Sequence, residues 1–234
     1  MTRLLASVTS VDEAATALEG GADIIDLKNP REGALGALSL QTIQQIVDFV
    51  GSRAPVSATI GDLPMQPSTM VDMVRRTADT GVDIVKIGLF GHMNHAECID
   101  AVSTLTATGV RVVAVLFADS LPDFGALPRL ANAGFYGVML DTEDKKAGRL
   151  VDCLSEDVIY NFLLSGRRLE LLTGLAGSLR AEDVQALASL APDYLGFRGG
   201  LCLDGDRNAA FDPVRMKHIA CLLREYNSPA HLVV

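Results

Sequence analysis

Gly21-Ala22-Asp23-Ile24-Ile25-Asp26-Leu27-Lys28-Asn29-Pro30 is an apolar strand with two charges, Asp26 and Lys28, set close to its end. Strand side chains alternate with period two, so these two residues share a face. A strand this apolar is expected to be covered on both sides, as in a parallel sheet flanked by helices. An acid and an amine on such a face are costly unless paired, and a buried lysine shifts its pKa readily. Two readings fit the pair. It is a structural ion pair at a strand end, or it is an amine set up for Schiff-base chemistry with a carboxylate beside it.

Working outward, Leu4 to Ser7 reads as a first strand, and Ser10 with Glu13 forms a capping-box pattern that opens a helix ending at Gly20-Gly21. After the quoted strand comes a turn-rich loop, Asn29 to Gly36, then a helix capped by Ser39 and reaching Val50. Further strands are expected at Val56–Ile60, Asp83–Ile87, Arg111–Phe117, Gly137–Leu140, Arg168–Thr173 and Tyr194–Phe197. The intervening helices start near Ser68, run from strand four to Thr108, and span Asp123–Ala133, Ser155–Ser165 (stopped by Gly166) and Arg180–Leu190. Asp212-Pro213 opens the last helix, to about Glu225. Eight strands alternating with eight helices predict a parallel sheet, and at 234 residues they predict one closed (β/α)8 TIM barrel, an α/β fold in which residues 1–234 form a single domain. A small residue, any residue and Asp precede three of the strands, at Gly21, Gly81 and Ala191. Shared turn chemistry explains this echo better than a true repeat does.

Composition narrows the function classes. The net charge is −9, which argues against general nucleic-acid binding. Cys98, Cys153, Cys202 and Cys221 are scattered without a Cys-x-x-Cys pair, as expected of reduced thiols in a cytoplasmic protein. The N-terminus lacks a signal-peptide pattern, and no run of 18 apolar residues predicts a membrane span. His92-x-x-His95 puts two imidazoles near one another without a third ligand, so no metal site is expected.

Active sites of (β/α)8 barrels lie at the C-terminal strand ends. Here those ends carry Asp26 and Lys28, Asp62, Lys86, Asp119, Asp141 followed by Lys145-Lys146, Gly174 to Ser178, and Arg198-Gly199-Gly200, with Asp206-Arg207-Asn208 in the final loop. Lys86 sits three places after Asp83, as Asp26 does after Asp23, so in similar register Lys86, Asp26 and Lys28 all face the mouth. Two amines near one carboxylate depress one lysine's pKa, and the second amine can move protons. Gly177-Ser178 and Gly199-Gly200 occupy the loops with which barrels often hold phosphate; Arg198 could add a charged contact and Lys145 a second one.

These segments resemble one family, the (5-formylfuran-3-yl)methyl phosphate synthases, also called 4-(hydroxymethyl)-2-furancarboxaldehyde-phosphate synthases. The resemblance rests on 20–30 with Glu32-Gly33 and Leu35-Gly36, Val-Ser-Ala-Thr-Ile-Gly-Asp (56–62), and Val-Lys-Ile-Gly-Leu-Phe-Gly (85–91). It continues through Met-Leu-Asp-Thr (139–142), Leu-Ala-Gly-Ser (175–178), Phe-Arg-Gly-Gly (197–200) and Gly-Asp-Arg (205–207). It implies a (β/α)8 barrel that joins two glyceraldehyde 3-phosphate molecules into the furan precursor of methanofuran, losing one phosphate and two waters. It also implies Lys28 as the Schiff-base lysine, Lys86 as proton acceptor, Asp26 and Asp141 as site carboxylates, and Lys145 as the loop lysine, with no cofactor. The loop reads Glu-Asp-Lys-Lys, a departure in which Lys146 could stand in for Lys145. Rival readings are another class I aldolase acting on a sugar phosphate, and a non-catalytic barrel that binds a phosphorylated ligand. The expected partner is the triose phosphate, with no nucleic acid and no membrane; a homo-oligomer is left open.

Overall fold

The computed structural model describes residues 1–144 and 148–228. Eight parallel strands close into a barrel in sequence order: β1 (Arg3–Val8), β2 (Ile24–Leu27), β3 (Val56–Thr59), β4 (Ile84–Gly88), β5 (Val112–Phe117), β6 (Gly137–Asp141), β7 (Leu172–Leu175) and β8 (Tyr194–Phe197). Around them run α1 (Val11–Gly20), α2 (Leu40–Val50), α3 (Pro67–Ala78), α4 (His95–Thr106), α5 (Leu127–Asn132), α6 (Leu150–Cys153), α7 (Glu156–Arg168), α8 (Val184–Ser189) and α9 (Pro213–Tyr226). The barrel expected from strict alternation is the fold.

Period-two alternation divides the strand side chains between two cores. Leu4, Ala6, Ile25, Leu27, Val85, Ile87, Val138 and Leu140 face outward into the layer between strands and helices. Leu5, Ile24, Ile84, Val113, Val115, Phe117, Met139 and Tyr194 fill the inside. The same alternation puts Ser7, Asp26, Lys86 and Asp141 on the inner face above that apolar plug. Gly174 leaves room for the plug's largest member, since a Cβ there would stand 2.2 Å from the Tyr194 ring.

The echoed small-x-Asp turns have a specific job. Gly21, Gly81 and Ala191 all adopt positive φ, at 93°, 86° and 55°. The Asp two places later then clamps the start of the preceding strand. Asp23 accepts from Leu4 N at 2.7 Å, Asp83 from Val56 N at 2.8 Å and Asp193 from Thr173 N at 2.7 Å. Each Asp also donates its own N–H to the carbonyl of that same residue. Shared turn chemistry accounts for the echo.

Several boundaries differ from those expected. Gly166 does not stop its helix. It lies buried inside α7, because a Cβ there would meet Thr173 Cγ2 at 2.5 Å, and β7 accordingly begins at Leu172 rather than Arg168. Glu170, with φ 58°, makes the left-handed turn in its place. The helix after β2's successor strand starts at Pro67, one residue before Ser68, and the stretches before α5 and α8 open as 3-10 turns. No helix among the described residues is long and apolar enough to cross a membrane.

Candidate active site

Asp26 is the most heavily engaged group in the molecule's interior. Register places Ser7 on β1 and Ser57 on β3 directly beside it. Ser7 Oγ donates to Oδ2 at 2.7 Å and Ser57 Oγ to Oδ1 at 2.6 Å, while Lys86 Nζ lies 2.7 Å from Oδ1. Burial opposes the charge on Asp26, but Lys86, Lys28 and the hydrogen bonds outweigh it and hold the carboxyl below its ordinary range. On Lys86 burial prevails. Together with repulsion from Lys28 it lowers the amine's pKa, against the pull of Asp26.

Lys28 continues the extended path just past β2, its N–H still reaching Val8 O. Its amine does not share Asp26 directly. It donates to Asp141 Oδ2 at 3.1 Å, and Asp141 Oδ1 accepts from Thr142 N at 2.8 Å. The single carboxylate with two amines that the spacing suggested is therefore two pairs, one of them reaching across the barrel from β2 to β6.

Lys28, Lys86, Asp26, Asp141, Gly177, Ser178, Arg198, Gly199 and Gly200 all line one cavity of about 620 Å³ at the C-terminal mouth. Gly177, with φ 108°, lets the loop after β7 pass close to Thr142, where a Cβ would meet Thr142 Cγ2 at 3.0 Å. Ser178 does not open a helix. It has positive φ, and the helical turn begins only at Ala181. Arg198 lines the mouth, and four hydrogen bonds fix its guanidinium. Its guanidinium pairs with both oxygens of Glu13, at 2.5 and 3.1 Å, and donates to Ser7 O and Arg207 O. It braces the loop after β8 from the cavity wall, beside Gly199 and Gly200. Lys145 and Lys146 lie outside the described residues.

Two other strand-end acids are loop clamps. Asp62 accepts from Ala34 N and Leu35 N at 2.7 and 2.6 Å, and Asp119 from Glu143 N and Asp144 N at 2.8 and 2.7 Å. His95 Nε2 lies 3.1 Å from Phe90 O at the start of α4.

A family profile described as 4-HFC-P synthase matches residues 4–220. The chain belongs to the 4-HFC-P synthase family. Its relatives include a Methylorubrum extorquens protein provisionally named (5-formylfuran-3-yl)methyl phosphate synthase. The two are 44% identical over 92% of this chain and 88% of that protein. The Methanopyrus kandleri protein bearing the same name is 40% identical over 88% of this chain and 92% of its own length. Among solved structures, 3-hexulose-6-phosphate synthase from Salmonella typhimurium superposes with a TM-score of 0.68 at 18% identity, covering 96% of this chain and 100% of that one. Phosphoribosyl anthranilate isomerase from Thermus thermophilus gives 0.67 at 15%, covering 96% and 99%. These two share the barrel fold with this 4-HFC-P synthase family member.

Ser7 and Ser57 were not singled out from the sequence. The signal was available: each is the polar residue of an apolar strand, and pairing strands in order from the Asp-opened starts would have set both beside Asp26.

Proposed function

We propose that the protein is a cytoplasmic lyase that condenses two glyceraldehyde 3-phosphate molecules into (5-formylfuran-3-yl)methyl phosphate, the furan precursor of methanofuran, through an imine on Lys28. One observation carries this reading. Each of two strand-end lysines has its own buried carboxylate on the floor of a cavity of about 620 Å³. Membership of the 4-HFC-P synthase family supports the choice of product.

The assignment of roles follows from position. The Lys28 side chain is 8% exposed and that of Lys86 is 3%, so Lys28 is the amine a carbonyl carbon can approach. One triose phosphate is isomerised to the ketone, and Lys28 Nζ adds to its carbonyl. Asp141, 3.1 Å from that nitrogen, is placed to pass the proton with which water departs. The iminium acidifies the adjacent carbon. Lys86, whose amine is biased towards its neutral form by burial, takes that proton. The resulting enamine attacks the aldehyde of the second triose phosphate and forms the carbon–carbon bond. Elimination of one phosphate, ring closure and dehydration follow. The water lost on forming the imine returns when the imine is hydrolysed, so the net losses are one phosphate and two waters.

The test is incubation of the pure protein with glyceraldehyde 3-phosphate alone. A furan aldehyde chromophore should grow together with one inorganic phosphate per product. Phosphate release without a furan, or neither, refutes the reading.

A further inference from the structure

Six cationic side chains line the mouth: Lys28, Lys86, Arg180, Arg198, Arg207 and Arg215. Five have a carboxylate partner. Lys28 faces Asp141, Lys86 faces Asp26 and Arg198 faces Glu13, while Arg180 lies 3.8 Å from Glu182 and Arg215 lies 3.4 Å from Asp212. Arg207 differs. Among the described residues no carboxylate stands within ion-pair distance of it, and its hydrogen bond is to a neutral group, from Nη2 to Gly33 O at 2.6 Å.

Arg207 is nonetheless held in place. Its carbonyl accepts from Arg198 Nε at 2.9 Å, which ties the loop after β8 to the Arg198–Glu13 pair below. On the other side, Gly33 is fixed because Asp62 binds the next two backbone N–H groups, and a Cβ on Gly33 would collide with that carboxylate at 1.9 Å. The side chain thus bridges from the loop after β8 to the loop after β2, over the cavity. Burial, with the like charge of Arg198, lowers its pKa; Asp141, Asp62 and Asp206 act on it in the opposite sense without reaching ion-pair distance. A half-buried guanidinium without an ion-pair partner is an unfavourable arrangement that a phosphate would relieve. The two lysine–carboxylate pairs are each neutral overall and cannot offset a phosphate's charge, whereas Arg207 can.

We propose that Arg207 is a phosphate-binding residue for the triose phosphate: tethered to Gly33 O, its guanidinium presents its remaining N–H groups to a phosphate lodged by the Gly177-Ser178 and Gly199-Gly200 loops. The planar fork of donors suits a phosphate face. The inference deepens the proposed reaction and rests on it for the identity of the ligand.

Inorganic phosphate titrated calorimetrically into the wild type, Arg207→Gln and Arg207→Lys tests it without any turnover. Arg207→Gln should weaken binding by about tenfold or more, the loss expected of a charged hydrogen bond, and Arg207→Lys should recover part of it. In borohydride trapping, Arg207→Gln should reduce labelling by glyceraldehyde 3-phosphate while leaving labelling by unphosphorylated glyceraldehyde unchanged. A merely structural tie to Gly33 would reduce both alike. The inference is overturned if Arg207→Gln binds phosphate as the wild type does, if both aldehydes lose labelling equally, or if the wild type binds no phosphate. Because the titration needs no chemistry, it succeeds or fails separately from furan formation.

Discussion

Lys86 lies 2.7 Å from Asp26, with side chains 3% and 1% exposed, whereas Lys28 lies 3.1 Å from Asp141, with side chains 8% and 4% exposed. The deeper pair joins β2 and β4 across the intervening β3, and two serines complete the carboxylate's shell. The shallower pair spans the barrel and ends on a residue just beyond its strand. The contrast suits the two tasks proposed for these lysines. A base is best fixed and desolvated, so that its amine is biased to the neutral form. A nucleophile must stand where a substrate carbon can reach it.

The largest effects should come from the lysines themselves. Lys28→Arg should abolish both the borohydride-trapped adduct and the product, because arginine stays protonated and cannot add to a carbonyl. Lys86→Arg should abolish turnover while leaving an adduct on a peptide containing Lys28, read by mass spectrometry. An adduct on Lys86 instead would exchange the two roles.

Stability should separate the pairs next. Asp26→Ala leaves Lys86 buried without its counter-charge and should cost roughly 3–5 kcal/mol in urea unfolding. Asp141→Ala should cost less, about 1–3 kcal/mol, because Lys28 can turn its amine into the cavity. Equal losses would erase the distinction between deep and shallow.

Ser57→Ala removes one neutral donor to the ionised Asp26 and should cost about 1.5–3 kcal/mol, with the imine adduct still formed. The smallest effect concerns pH. The folded pKa of Asp26 lies below the ordinary aspartate value of 3.8. Its stabilising contribution is therefore complete above 3.8 and fades as the pH falls through the folded value. Asp26→Asn should lack that acid limb in a plot of urea midpoint against pH. Lys86, depressed below 10.5, works in the other direction: stability should rise with pH from its folded value towards 10.5.

The strand order and the inward face of Lys86 were readable because period-two alternation and turn residues are local signals. The same alternation placed Asp26 and Lys28 correctly on one face. What it could not supply was pairing across the barrel. The Lys28–Asp141 contact joins residues 113 apart, and only closure of the sheet brings them together. Gly166 misled because a buried glycine needed for close packing on Thr173 reads, in sequence, like a helix stop. The partner of Arg198 was hidden for a related reason: Glu13 lies 185 residues away in the chain.

In a ring of eight strands the second and sixth stand opposite one another, so the Lys28–Asp141 contact is a diameter. In the proposed reaction, a carbon attached to Lys28 Nζ would take its place along that diameter, between the two walls. The growing six-carbon chain would then be a strut across the opening, with the lysine at one end and the Asp141 carboxylate facing it. On that proposal, release of product would amount to removing the strut and letting the two walls meet again through a proton and a charge.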